Sequence, residues 1–233
     1  MICRRWIFAA ALFGVLGSSC GEREEEEVGP ALGLLEAAGD QEGTAEEDWT
    51  ALLPAEGQGD WEVVDFAGHG EVSFSEGGLI MEQGAELTGV VWEGEPPTVP
   101  YEIALRFRRL LGTDFPCGLT LPVAGEGRSV TLIVGGWGGG VVGISSIDGR
   151  DASENETTIY RHFEREQWYE VHMVVREERL VVSLDGKEEI SVEVAGRELG
   201  LRSGEISRCA PLGLATWQSA GEIRDLRWRK LPE

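Results

Sequence analysis

Apolar and polar residues alternate with a period of two along most of the chain after Trp61. Tyr101, Ile103, Leu105 and Phe107 share one face of a segment whose other face carries Glu102, Ala104, Arg106 and Arg108. Tyr169, Val171, Met173 and Val175 repeat the pattern, as do Leu180, Val182 and Leu184, then Ile190, Val192 and Val194. Between the last two segments, Asp185-Gly186 predicts a type I′ hairpin. Further strands are predicted at residues 61–66, 71–75, 79–83, 86–92, 118–123, 130–135, 141–147, 212–218 and 222–230. No segment of this region has a 3.6-residue period. Each sheet has one apolar face to cover, so two packed antiparallel sheets follow. The expected fold class is all-β, an antiparallel jelly-roll β-sandwich over residues 61–233, with a closed barrel as the alternative.

The first sixty residues read differently. Arg4 and Arg5 precede an apolar run over residues 6–16, and Gly17, Ser18 and Ser19 lead to Cys20. Residues 1–20 are therefore expected to be a signal peptide. The cysteine after small residues resembles a bacterial lipobox, which implies lipidation at Cys20 and export to the cell envelope on a lipid anchor. Residues 21–60 hold thirteen acids against Arg23, including a run of four glutamates at 24–27. High charge with little apolar content predicts an acidic, disordered linker. The whole chain of 233 residues carries a formal charge of −22. Such a chain repels phosphate backbones, which argues against nucleic acid; a neutral or cationic partner, or a carbohydrate, fits better, with membrane contact through the anchor alone.

The order of features along the body carries a family resemblance. Asp60-Trp61-Glu62-Val63 opens it, followed by Gly77-Gly78-Leu79-Ile80-Met81, and Tyr101-Glu102-Ile103 leads into Leu105-Arg106-Phe107-Arg108. Gln167-Trp168-Tyr169-Glu170-Val171 precedes the segment that ends in Leu184-Asp185-Gly186-Lys187. Gly213-Leu214-Ala215-Thr216-Trp217 and Glu222-Ile223-Arg224-Asp225-Leu226-Arg227 close it. This resembles the concanavalin A-like superfamily, specifically 3-keto-disaccharide hydrolase domains and their laminin-G-like relatives. The resemblance implies a sandwich, and cleavage of 3-keto-glycosides by base-assisted elimination followed by hydration. It also implies that the strands beginning Gly118-Leu119 and Gly213-Leu214 are neighbours, which makes Cys117 and Cys209 a possible disulfide.

Candidate chemistry concentrates in one stretch. Gly135-Gly136-Trp137-Gly138-Gly139-Gly140 places five glycines around one tryptophan between two apolar strands. Glycine costs roughly 0.5–1 kcal/mol relative to alanine in a regular element, so this run needs a reason. Either the loop approaches a ligand with Trp137 as a stacking platform for a sugar ring, or it is a glycine-rich turn with Trp137 in the core. The next loop carries Asp148, Asp151, Glu154, Asn155 and Glu156. These residues are candidates for catalytic carboxylates (Asp148, Asp151 or Glu154 as base, with Arg161 as enolate partner), for sugar contact through Asn155, or for plain solvated loop. No cofactor is expected, although clustered oxygens are also the donor type that calcium takes. Trp217 is a second candidate platform, and Trp92 and Asp114 are candidates for the same cleft. His69, His162 and His172 lack a second ligand at zinc spacing. Two functions remain open: a hydrolase of 3-keto-sugars, or a non-catalytic laminin-G-like module that binds a glycan or a protein at the envelope.

Overall fold

The computed structural model describes residues 48–233; the expected signal peptide, its lipidation candidate Cys20 and most of the acidic linker lie outside the described residues. In chain order the strands are β1 (Thr50–Ala51), β2 (Trp61–Val63), β3 (Val72–Ser75), β4 (Gly78–Met81), β5 (Leu87–Trp92), β6 (Tyr101–Gly112), β7 (Cys117–Pro122) and β8 (Ser129–Gly136). They continue with β9 (Val141–Ser145), β10 (Ile159–Tyr160), β11 (Tyr169–Val175), β12 (Arg179–Leu184), β13 (Lys187–Glu193), β14 (Gly213–Trp217) and β15 (Ser219–Lys230). One 3₁₀ turn, Glu205–Cys209, lies between β13 and β14.

The strands form two antiparallel sheets. The first runs β13-β12-β11-β6-β15-β4-β3, with β1 also paired to β15, and the second runs β10-β9-β8-β7-β14-β5-β2. All the segments read from alternation are strands, and the hairpin at Asp185-Gly186 has both residues at positive φ, 50° and 75°, as a type I′ turn requires. Register makes the alternation count. Tyr101, Ile103, Leu105 and Phe107 stand opposite Val175, Met173, Val171 and Tyr169, so the apolar faces of β6 and β11 coincide. These side chains meet Leu119, Leu132, Ile144 and Leu214 from the second sheet in one core.

The two sheets treat their outer faces differently. On the first sheet that face is polar: Glu222 bonds Arg108 and Arg224, and Glu102 bonds His172 and Arg229. The second sheet is covered on its outer face as well. Two segments lie over it, one at residues 146–158 and one at residues 199–212 that includes the 3₁₀ turn. Phe66, Leu87, Phe115, Ile133, Ala152, Cys209 and Ala215 make a second apolar cluster there. Glycines on the sheet give these segments room. A Cβ at Gly143 would stand 2.4 Å from the carbonyl oxygen of Ala152, and one at Gly213 would stand 2.4 Å from that of Cys209.

Two expectations need correction. The packed domain begins before Trp61: β1 pairs with β15, Leu52 and Leu53 are buried, and the Trp61 indole N–H donates to the Leu52 carbonyl at 2.9 Å. The acidic composition of residues 21–60 hid this short apolar anchor at its end. Cys117 and Cys209 are both buried and free. Their strands are adjacent as expected, Leu119 opposite Leu214. Cys117, however, points into the core between the sheets, while Cys209 packs on the opposite face of the second sheet, which stands between the two thiols.

Burial pushes both thiols up to about 12, so at pH about 8 roughly one in ten thousand of either is thiolate. Neither thiol is expected to react with Ellman's reagent in the folded protein, and both should react in guanidinium. Immediate reaction of either under native conditions contradicts the packing. A chain begun at Trp61 loses Leu52 and Leu53 from the core and should be less stable by several kcal/mol, each buried leucine being worth about 2–5 kcal/mol. Denaturant unfolding measures this, and an unchanged midpoint refutes it.

Candidate functional site

The Gly-rich run is a turn built to hold Trp137 out of the core. Trp137 lies at φ 49° and its flanking Gly135, Gly138 and Gly139 lie at 79°, 84° and 105°. A tryptophan in the left-handed region is uncommon and persists only where its surroundings fix it. Asp114, in the β6–β7 connection, does the fixing from one side: its carboxylate accepts from the Gly138 N–H at 3.0 Å and from the Phe115 N–H at 2.8 Å. Arg109, at the end of β6, acts from below. Its guanidinium is buried and donates to the carbonyls of Gly139 at 3.3 Å and Phe163 at 3.4 Å. A Cβ at Gly139 would lie 2.9 Å from the Thr113 carbonyl oxygen and 3.3 Å from that guanidinium. Backbone conformation and space both require glycine at this position. Burial pulls Arg109 below its ordinary value, and the nearby Asp114 carboxylate works against that fall.

The turn leaves Trp137 43% exposed, an unusual state for so large an apolar side chain. Its indole walls a cleft of about 440 Å³, with Trp217 at the end of β14, Phe115, and Ile206 of the 3₁₀ turn. Asp114, Glu86, Glu205 and Arg202 supply the polar lining. Arg202 belongs to the 199–212 segment and holds Asp151 of the 146–158 segment at 2.7 Å. Its guanidinium carbon also sits 5.9 Å from the centre of the Trp137 ring. Behind Arg202 a smaller cavity of about 40 Å³ reaches Ser145, Thr131 and Asp151. The Ser145 hydroxyl is buried without a hydrogen-bond partner.

The residues expected to act together are dispersed. Trp137 and Trp217 do line one cleft, joined by Asp114, while Trp92 packs edge-on against Trp61 instead, ring centres 5.1 Å apart. Asp151 reaches only the small cavity and is committed to Arg202. Asp148 faces away and is held by Arg197 at 2.7 Å, which also takes Glu156. Hydrogen bonding from the Glu198 N–H and then from Arg197 keeps the Asp148 carboxyl below the ordinary aspartate value, the reverse of what a base near neutrality needs. Glu154 is exposed on the loop surface. Asn155 is buried and its amide is spent on the backbone: the NH₂ donates to Ile144 at 2.8 Å and Asp151 at 2.9 Å, and the oxygen accepts from the Thr157 N–H at 2.9 Å. Arg161 pairs with Asp185 and lies over Phe163 and Tyr169. Among the described residues no three His, Cys, Asp or Glu side chains gather as a metal site. Arg109, Arg202, Glu86 and Glu205 were not legible as site residues; each is brought in by pairing between distant segments, and local pattern carries no mark of that.

The fold is that of lectin- and glucanase-like jelly-roll sandwiches. No family model matches the chain, and no curated protein does. Among solved structures, the VIP36 exoplasmic/lumenal domain in its Ca²⁺/Man-bound form superposes with a TM-score of 0.53 at 12% identity, covering 81% of this chain and 92% of that one. The apo Crh5 transglycosylase gives 0.53 at 10% identity, over 79% and 84% of the two chains. Crh5 in complex with NAG gives 0.52 at 11%, over the same shares.

A carboxyl titration followed by NMR tests the loop assignment. Asp148 should titrate below its ordinary 3.8, and Arg197→Met should raise its midpoint. The depressed folded value means that this group stabilises the fold above the unfolded pKa and that the contribution fades as pH falls through the folded one. A midpoint near neutrality would return Asp148 to the list of catalytic bases.

Proposed function

We propose that the domain binds carbohydrate in the Trp137 cleft and that it does so without turning the ligand over. The observation that carries this is Trp137 itself, held in an unfavourable backbone conformation by Asp114 and Arg109, and left 43% exposed beside Trp217. Strain of this kind is retained where it positions something. An indole face buries the C–H face of a sugar ring, and surrounding carboxylates accept from its hydroxyls. Solved structures of the same fold support the reading, since VIP36 is recorded with Man and Crh5 with NAG.

The elimination chemistry that the 3-keto-disaccharide hydrolase resemblance implies calls for a base free to take the proton beside the ketone. Asp114, which lines the cleft with Trp137, already accepts two backbone N–H groups in fixing the turn. Asp151 is tied to Arg202 and Asp148 to Arg197. These commitments favour binding over catalysis. The lipobox-like Cys20 adds that the module is exported and works at the envelope surface on a lipid anchor.

Calorimetric titration with a panel of neutral and charged oligosaccharides tests the reading. A Kd between about 10 µM and 1 mM is expected for at least one glycan, and Trp137→Ala should weaken it by about tenfold or more. Incubation with 3-keto-trehalose should release no monosaccharide. Binding that ignores Trp137→Ala removes the cleft from consideration, and release that depends on Asp114 restores the hydrolase.

A further inference from the structure

The charges around the cleft point to a particular class of sugar. Asp114, Glu86 and Glu205 line it against the single guanidinium of Arg202. Arg202 is already matched by Asp151 at 2.7 Å, and Glu205 by Arg208 at 3.0 Å. Neither Asp114 nor Glu86 has an ion-pair partner among the described residues. The space therefore faces net negative charge, in a chain whose formal charge is −22. A carboxylated or sulfated sugar entering it would bring its charge against unmatched carboxylates with water partly excluded.

The aromatic lining works in the same direction. The Arg202 guanidinium carbon lies 5.9 Å from the Trp137 ring centre, so a cation already stands beside the indole face. Trp217 and Phe115 add two more rings to the same space. Arg202 is a surface side chain, 60% exposed, and a ligand cation can share or take its place on the ring. Behind it, the buried and unpartnered Ser145 hydroxyl opens on a cavity of about 40 Å³, room for one ligand hydroxyl or one water.

We propose that the saccharide selected by this cleft carries a protonated amine, as in an oligomer of glucosamine, and that acidic glycans are refused. This rests on the carbohydrate reading given above. The amine sits among Trp137, Asp114 and Glu86, where cation–π attraction and carboxylate attraction coincide.

Calorimetry on the purified chain with hexamers of glucosamine, N-acetylglucosamine and galacturonic acid tests it. At about 20 mM salt the glucosamine hexamer should bind about tenfold tighter than the acetylated one, and the gap should close toward about 0.5 M salt as screening rises. Galacturonate should show no heat of binding. Glu86→Gln, at an exposed position, should bring the amine-to-acetamide ratio toward one. Equal or tighter binding of the acetylated or the acidic hexamer overturns the inference while leaving a sugar site standing. Failure of these hexamers and of the whole neutral panel to bind overturns the carbohydrate reading itself.

Discussion

The close approach of two covering segments to the second sheet is the constraint on which the rest of the molecule depends. A sandwich needs only its inner faces buried, yet here the outer face of β9-β8-β7-β14-β5 is buried too. Glycines at two points of that face let the cover come close. Gly143 lets the Ala152 carbonyl come to where a Cβ would meet it at 2.4 Å, and Gly213 does the same for Cys209. Between these contacts Phe66, Leu87, Phe115 and Cys209 fill what remains. The cleft lies between the 199–212 segment, the β8–β9 turn at Trp137, and the connections that carry Glu86 and Asp114. Its walls stand on a largely packed floor, broken by the small cavity at Ser145.

Arginines lock the cover laterally. Arg197 ties Asp148 and Glu156, and Arg202 ties Asp151. Exposed pairs of this type add little stability individually. Their effect is register, because each joins the 199–212 region or its approach to the 146–158 loop and so fixes the two covering segments against each other. Arg109 plays a different part. Its guanidinium is buried without a carboxylate bonded to it, and its Nε has no partner. A buried, incompletely satisfied charge is destabilising, and it is spent here on a carbonyl of the turn that presents Trp137. The conformation of one tryptophan thus draws on Asp114, Arg109 and the glycines between them.

The sandwich was legible in the sequence because its information is local. Alternation in β6, β11 and β12 states which side is buried, and Asp185-Gly186 states where the chain reverses. The short elements were not legible, since two residues at Thr50–Ala51 or Ile159–Tyr160 carry no period. Part of the site was legible for the same local reason: five glycines around Trp137 stand out in any reading, and Trp217 follows from its strand. What failed was inference from clustering. Asp148, Asp151, Glu154 and Asn155 are close in sequence, but Asp148, Asp151 and Asn155 turn to different partners and Glu154 is exposed. Those partners, among them Arg197, Arg202 and the Ile144 carbonyl, lie on other segments. The cysteine pair failed in a related way, because neighbouring strands were identified correctly while the face each thiol takes depends on parity along the strand and on where the 3₁₀ turn lands.

The fate of the acidic loop bears on catalysis more generally. A carboxylate becomes a base near neutrality when burial raises it and nothing stabilises its charge. Of the carboxylates nominated from sequence, Asp148 meets the opposite treatment, receiving a backbone N–H and an arginine, and its neighbour Glu156 is lowered chiefly by the same arginine. Asp114, the one beside the platform, accepts two N–H groups that hold the turn. Carboxylates whose charge is kept are poor proton acceptors but good partners for hydroxyls and for cations. An arrangement of fixed charges around an exposed indole suits the holding of a ligand, and the binding proposal rests on that arrangement.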